Sequence, residues 1–309
     1  MNHLILGGAG FLGQHLTKAL FNQKERHVGV TVVDNFSTGK LDREQFAVYK
    51  NLYRVVEGDL ATMSKEELLG IVRKHDKIWH LAGSVGVDYI DKNPSETLFN
   101  NAKLNYNLVQ FFQEAKRPVV FFSTSEIYGD GPFGEEDFAH IAPTSKLRGG
   151  YAASKLMAEF MIRASNFPYT IVRIFNAVGP GQVGDYGMVL PRFINAAKNN
   201  EDIVVYGTGE QVRSFCHVDD TIRAVIGVSD IYGELFNIGN DEPITINRLA
   251  ERVINLSRSS SKIVHIPYEQ AFTSNHIDIN YRVPNIDKLR SAINYEPTKS
   301  LDYIIRDML

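Results

Sequence analysis

His3-Leu4-Ile5-Leu6-Gly7-Gly8-Ala9-Gly10-Phe11-Leu12-Gly13 runs an apolar strand straight into closely spaced glycines and then a helix. In a parallel sheet such a junction presents backbone amides to a pyrophosphate. Gly8, Gly10 and Gly13 fit the dinucleotide spacing, and Gly7, Gly10 and Gly13 fit the variant with glycine at every third position. Glycine there permits a tight turn, close approach of backbone to phosphate, and close packing of helix on strand. The helix predicted from Phe11 to Phe21 points its positive end at the anion.

Asp34 strengthens this reading. It ends a second apolar run, Val28-Gly29-Val30-Thr31-Val32-Val33, where the ribose-binding acid of a dinucleotide fold should lie. A carboxylate there accepts from both ribose hydroxyls and repels a 2′-phosphate. No arginine follows in Asn35-Phe36-Ser37-Thr38-Gly39, so the expected cofactor is NAD, not NADP.

Beyond the loop, short apolar strands alternate with helical patterns through Phe175, which predicts an α/β fold with a doubly wound parallel sheet. Strands are expected at His3–Leu6, Val28–Asp34, Tyr53–Glu57, Ile78–Ala82, Val119–Ser123 and Thr170–Phe175, with helices at Phe11–Phe21, Ser64–Lys74, Pro94–Ala115 and Tyr151–Ser165. Val119-Val120-Phe121-Phe122 has the continuous apolar character of a strand covered on both faces. After Phe175 the texture changes, with Gly179-Pro180-Gly181, helices at Pro191–Lys198, Asp219–Val228, Ile246–Ser257 and Asp287–Ile293, and a strand at Ile203–Tyr206. Residues 1–175 are read as the cofactor-binding domain and 176–309 as mainly substrate-binding, with 217–239 returning to the sheet.

The 309 residues are 44% hydrophobic and carry a net charge of −3, so there is no electrostatic case for nucleic acid or an anionic membrane. One cysteine, Cys216, excludes an internal disulfide and fits a reducing cytoplasm. No apolar run is long enough to span a bilayer, and no metal site is expected.

Tyr151 and Lys155 are four apart in Tyr151-Ala152-Ala153-Ser154-Lys155 and share one face of a helix. That helix follows the fifth strand of a nucleotide-binding sheet, whose carboxyl edge is where ligands sit. An ammonium beside a phenol stabilises phenolate, which makes the tyrosine a usable general base. Ser123-Thr124-Ser125-Glu126 ends that strand, placing hydroxyls where they could orient a substrate alcohol or simply cap a strand.

With these residues in view, the chain resembles the extended short-chain dehydrogenases/reductases of the nucleotide-sugar epimerase/dehydratase group, over essentially its whole length. The resemblance rests on GGAGFLG, Asp34, Glu57-Gly58-Asp59-Leu60, His80-Leu81-Ala82-Gly83, STSEIYG at Ser123–Gly129, YAASK, RIFNAVGPGQ at Arg173–Gln182, VYGTG, RSFCHVDD at Arg213–Asp220 and RVPNIDKL at Arg282–Leu289. It departs from the pattern at Gly83, where alanine is commoner, and at Leu104-Asn105, where Gly-Thr is usual. The resemblance implies that Gly7, Gly10, Phe11, Leu12, Gly13, Asp34 and Asn35 hold NAD, that Asp59 and Leu60 touch adenine, and that Leu81, Ala82 and Gly83 line ribose and pyrophosphate. It implies Tyr151 as base, Lys155 on the nicotinamide ribose, and Thr124 as the catalytic hydroxyl beside Ser125. Asn176, Arg213 and Arg282 would bind a sugar nucleotide's diphosphate, with Val189, Leu190 and Tyr206 flanking the base and Val85 near the sugar. Arg192 and Arg290 match no binding motif and are read as surface ion-pair residues. A homodimer is implied, built on the helices Pro94–Ala115 and Tyr151–Ser165. The substrate is expected to be a UDP-sugar, with GDP- and dTDP-sugars as alternatives.

Members of the group share one first step, in which Tyr151 takes the C4 hydroxyl proton while hydride leaves C4. The tail Arg282–Asp287 resembles UDP-glucose 4-epimerase-like enzymes, so 4-epimerisation is the leading expectation. A 4,6-dehydratase uses Asp-Glu after the threonine, and here Ser125-Glu126 stands instead. UDP-glucuronate decarboxylases share Thr-Ser-Glu but usually carry Tyr-Asp-x-x-Lys, where Ala152 stands here. Glu126 is thus either a strand-end carboxylate bonded to an amide or an acid–base group at C5. A 4-dehydrogenase releasing the keto sugar, and a non-catalytic NAD sensor, complete the alternatives.

Overall fold

The computed structural model describes residues 1–23, 28–37, 39, 52–84, 86–182, 188–272 and 279–309. Its first half runs β1 (Asn2–Leu6), α1 (Phe11–Phe21), β2 (Gly29–Asp34), β3 (Tyr53–Glu57), α2 (Lys65–Val72), β4 (Lys77–His80), α3 (Val87–Lys92), α4 (Pro94–Ala115) and β5 (Val119–Thr124). Then come β6 (Gly131–Phe133), α5 (Gly150–Arg163), β7 (Tyr169–Ile174), β8 (Ala177–Val178), α6 (Val189–Lys198), β9 (Ile203–Tyr206), β10 (Val212–Arg213) and β11 (Cys216–His217). The chain closes with α7 (Val218–Val228), β12 (Glu234–Ile238), β13 (Ile244–Thr245), α8 (Ile246–Ser257), β14 (Ile263–Ile266), α9 (Tyr268–Ala271), β15 (Tyr281–Pro284), α10 (Asp287–Ile293) and α11 (Leu301–Met308).

Seven parallel strands form the central sheet in the order β12-β7-β5-β4-β1-β2-β3. The order reverses between β1 and β4, so the loops after these two strands diverge and leave a crevice at their carboxyl ends. Alternate residues of each strand feed opposite layers. Ile5, Val120 and Phe122 pack with Leu16, Val225 and Phe236 under α1 and α7. Leu4, Leu6, Val119 and Phe121 pack with Leu108, Phe112 and Ile162 under α4 and α5. Both faces are therefore buried, which is why β5 reads as an unbroken apolar run.

Local signals set the helix ends. Ser64 caps α2 by accepting from the Glu67 N–H, with Glu66 and Glu67 in the first turn. Pro94 opens α4 and Lys116 closes it in the left-handed conformation.

A third apolar cluster, around Phe193, Ile203, Val205, Leu249, Val253 and Ile304, joins α6, α8 and α11 to the β9–β14 pair. The helix α11 is an element absent from the sequence expectations, although Leu301, Ile304 and Ile305 are spaced to bury one face behind the Ser300 cap. The strand expected to run to Ala82 ends at His80; the Leu81 N–H still donates to the Leu6 carbonyl at 2.9 Å, and the chain then turns out at the carboxyl ends of the strands. A small sheet, β13-β10-β15-β6, uses chain segments far apart in sequence and brings Arg282 of β15 against Glu126 in the turn after β5. Among the described residues, no helix is long and apolar enough to cross a membrane.

Candidate active site

The glycine loop divides its labour residue by residue. A Cβ on Gly7, whose φ is +79°, would sit 2.6 Å from the Ala82 nitrogen, and one on Gly13 would sit 2.5 Å from the Gly8 Cα. Those two glycines let chain segments touch. Gly10 differs, since a Cβ there would meet nothing nearer than the Gly7 carbonyl at 3.7 Å. No neighbouring atom demands glycine at this position, which leaves room there for the close approach of a ligand. Gly10 is the N-cap of α1 and supplies no side-chain cap, so the helix's first amides point outward unsatisfied by it.

Asp34 locks this loop to β2. Its Oδ2 accepts from Ala9 N–H at 2.9 Å and its Oδ1 from Phe36 N–H at 2.8 Å. Each oxygen keeps lone-pair capacity for a ribose hydroxyl. The Asn35 amide oxygen accepts from the Ser37 N–H at 3.1 Å, and the Asp59 carboxylate from the Ala61 N–H at 2.9 Å. Phe11, Leu12, Leu81, Ala82 and Gly83 are half-buried around the crevice, whereas Leu60 is buried and Asp59 exposed. These groups fit a dinucleotide: open backbone at Gly10, an acid at the end of β2, and apolar walls. Val85 lies outside the described residues.

Beneath that crevice Asn105, one of the departures from the usual pattern, joins a hydrogen-bonded chain with His80 and Asn101. Asn101 accepts from the Ser84 N–H at 2.7 Å and donates to the Ser84 carbonyl at 3.2 Å, while Asn105 bonds buried His80 at 2.8 Å. Burial pushes the His80 imidazole down to about 3, so it is neutral and donates from Nε2 to Asn105. Gly83, at φ +157°, lies close enough that a Cβ would be 3.2 Å from the Asn101 Oδ1 and 3.6 Å from the Lys155 Nζ.

Tyr151 and Lys155 rise from the first turns of α5 against the end of β5. Lys155 is buried and donates to the Phe122 carbonyl at 2.9 Å. Burial drives its ammonium down to about 8, opposed by the Glu159 carboxylate one turn on. Glu159 is itself held between Ser123 Oγ at 2.5 Å and the Arg173 guanidinium at 2.6 and 3.0 Å. The Tyr151 phenol is pushed above the ordinary tyrosine range by burial and by the Glu126 carboxylate, against pulls from Thr124, Arg148 and Arg282. The net direction is opposite to the lowering expected from Lys155, because desolvation and a neighbouring negative charge both disfavour phenolate. Thr124 accepts from the Glu126 N–H at 3.2 Å, which leaves its own proton to donate toward the phenol. Ser125 is buried in the tight turn that follows.

Glu126 is not a plain strand-end carboxylate. Its side chain faces Arg148 Nη2 at 3.2 Å and Arg282 Nη1 at 3.6 Å. Burial would raise its pKa, but the charges of Arg148, Arg282 and Arg213 outweigh burial and hold it below the usual carboxylate range. Register pairs Arg213 of β10 with Arg282 of β15, so two guanidinium-bearing residues lie side by side. Arg282 also donates to the Asn176 Oδ1 at 2.5 Å, and Asn176 donates to the Ser214 carbonyl at 2.8 Å. Asp130 holds β15 in place by accepting from the Tyr281 N–H at 3.0 Å. Asn176, Arg213 and Arg282, 106 positions apart at the extremes, thus meet beside Glu126.

The remaining residues separate. Tyr206 lies under the Arg192 guanidinium, 4.0 Å from the ring centroid, and edge-on to Phe272. Arg192 therefore stacks on an aromatic face where a surface ion pair was expected. Arg290 does form ion pairs, with Asp241 and Glu296. Val189 and Leu190 open α6, and Leu190 has no exposed surface, so its side chain serves the third cluster. Arg148 and Glu159 were not singled out by the sequence, and Arg173 entered only as the first residue of the Arg173–Gln182 motif; the signal for Arg148 is its place three residues before Tyr151.

Residues 3–239 match the sequence model of the NAD dependent epimerase/dehydratase family. A UDP-N-acetyl-alpha-D-glucosaminuronate decarboxylase of Bacillus cytotoxicus is 35% identical, covering 99% of this chain and 96% of that protein. UDP-glucuronic acid decarboxylase 1 of Danio rerio is 30% identical over 97% of this chain and 69% of its own length. Among solved structures, a UDP-glucose 4-epimerase of Thermotoga maritima, determined with UDP-glucose, superposes with a TM-score of 0.84 at 26% identity, covering 99% of this chain and 96% of that one.

Proposed function

Because the chain belongs to the NAD dependent epimerase/dehydratase family, we propose that it decarboxylates a UDP-linked hexuronic acid after oxidising the sugar at C4. The observation that carries this reading is Glu126, kept ionised beside Tyr151 and faced by Arg148, Arg282 and Arg213. An epimerase needs the base, the hydroxyl and room for the keto sugar to turn; it has no use for a pinned carboxylate in a field of guanidiniums. A reaction that must deliver a proton to C5 does use it, because the ionised Glu126 lies beside Tyr151, the base that acts at C4. The two relatives named above, both decarboxylases of UDP-linked uronic acids, favour the same substrate class.

Bound NAD supplies the hydride acceptor at C4, a positive nicotinamide that favours phenolate, and the hydride that restores C4 at the end. Tyr151 takes the C4 hydroxyl proton, and Thr124 fixes that oxygen by hydrogen bonding. Lys155 orients the nicotinamide ribose from its anchor on the Phe122 carbonyl. The oxidised sugar is a β-keto acid, so the C5–C6 bond breaks with its electron pair passing into the C4 carbonyl as an enolate. Tyr151 and Thr124 hold the enolate oxygen, and Glu126 relays a solvent proton to C5. Tyr151 finally returns its proton to O4. One solvent proton is consumed and one carbon dioxide leaves. Asn176, Arg213 and Arg282 grip the diphosphate, while Tyr206 and Val189 flank the base.

The test is product analysis by mass spectrometry and NMR, offering UDP-glucuronate, UDP-N-acetylglucosaminuronate and UDP-glucose to the NAD-loaded protein. Carbon dioxide release with formation of the UDP-pentose is the expected result. An isomer of unchanged mass from any of the three would overturn decarboxylation and restore the 4-epimerase. That second reading shares every step up to the keto sugar.

The protein acts as a homodimer in this proposal. Phe99 and Tyr106 on α4 and Phe160 and Met157 on α5 expose apolar surface, with Phe99 71% and Phe160 66% exposed. The two helices pack against each other on one side of the sheet, so a second copy can cover both at once.

A further inference from the structure

We infer that Arg148 is a positioning residue for Glu126, fixing which oxygen of that carboxylate faces the sugar and in which protonation state it works; this rests on the decarboxylase reading above. Arg148 lies in the short turn Leu147–Gly149 that delivers the chain into α5, three residues before Tyr151. It is only 7% exposed, far below what a surface arginine shows. Its Nη2 bonds the Glu126 Oε1 at 3.2 Å, whereas the Nη1 of Arg282 approaches the same oxygen at 3.6 Å. Both guanidiniums therefore take one oxygen, leaving the other side of the carboxylate for a water or the C5 proton.

The Arg148 Nε is buried with no hydrogen-bond partner. A buried guanidinium N–H without a partner is costly, and such a group persists where a ligand completes it. Arg148 thus carries one N–H group bonded to Glu126 and one buried N–H without a protein partner.

The charged and titratable groups facing Glu126 are Arg148 from this turn, Arg282 from β15, Arg213 from β10 and Tyr151 from α5. Deleting Arg148 removes one positive charge from both acids. Glu126 then titrates higher, and so does Tyr151, since Arg148 lowers both. The two effects have the same sign, so the acid limb of the rate profile moves to higher pH.

The experiment compares wild type, Arg148→Met and Arg148→Lys with bound NAD and UDP-glucuronate or UDP-N-acetylglucosaminuronate. Carbon dioxide release and transient NADH absorbance are followed from about pH 3 to about pH 9, which includes the limb of a carboxylate held below its usual range. Arg148→Met is expected to lower kcat at neutral pH by about 10- to 100-fold, the size of a lost hydrogen bond to a charged group. Its acid limb should move up by about one unit, the effect of removing one adjacent opposite charge. KM should change less than kcat, and Arg148→Lys should restore the limb while kcat stays reduced, because the charge returns without the fork. An acid limb unchanged in Arg148→Met, with kcat and KM near wild type, overturns the inference. Should Arg148→Met fail to fold, Arg148→Gln carries the same comparison. A wild-type protein that releases no carbon dioxide defeats the underlying reading, which separates that failure from this one.

Discussion

Replacing Gly10 and Gly13 in turn by alanine should split cofactor binding from stability. At Gly13 the new methyl would lie 2.5 Å from the Gly8 Cα and 2.6 Å from the Gly8 carbonyl oxygen, both backbone atoms that cannot swing away. Helix α1 must then move off β1, an overpacking cost of about 1–3 kcal/mol. At Gly10 the nearest atom is 3.7 Å away, and φ is −75°, a conformation alanine adopts freely. Alanine there loses a little as an N-cap and gains a few tenths of a kcal/mol by narrowing the unfolded ensemble, so the net is about zero. The methyl does, however, fill the space through which a pyrophosphate reaches the first amides of α1. Overpacking of about 1–3 kcal/mol at that contact corresponds to about 5- to 150-fold weaker NAD. Thermal melting of the NAD-free protein and calorimetric titration with NAD read the two quantities separately. Gly13→Ala should melt several degrees lower, and Gly10→Ala should melt with wild type yet bind NAD poorly. Wild-type NAD affinity in Gly10→Ala, or equal melting losses in both variants, would refute the division of roles.

Asp220→Ala should cost stability in a pH-dependent way. Buried Asp220 accepts from Arg223, from the Thr298 N–H and hydroxyl, and from the Lys299 N–H, which together outweigh burial and hold its pKa below the ordinary 3.8. A lowered folded pKa gives stability that is full above about pH 4 and is lost as pH falls through the folded value. Urea melts should therefore show a deficit of about 2–3 kcal/mol at pH 7, shrinking toward pH 3; a constant deficit would contradict the charge-based account. Phe160→Glu, placing a charge on the exposed face of α5, should convert dimer to monomer by light scattering; a monomeric wild type would dismiss the proposed interface.

The chain alone determined the sheet and the cofactor. The glycine loop, the acid closing β2 and the unbroken apolar run of β5 are local patterns, and each is fixed by steric or burial rules acting within a few residues. Tyr151 and Lys155 were legible for the same reason, since four residues of helix put them on one face. Helix α11 escaped notice because its one turn of apolar spacing gains meaning only against α8. The environment of Glu126 was decided entirely by tertiary structure. Its three guanidiniums come from a turn before α5 and from β10 and β15, which meet only when the small sheet brings β15 against the turn after β5. Sequence spacing cannot report that convergence, nor the desolvation that turns the Tyr151 phenol upward and the Lys155 ammonium down. Electrostatics between residues distant in the chain depends on distance and burial in space, and the fold alone supplies both.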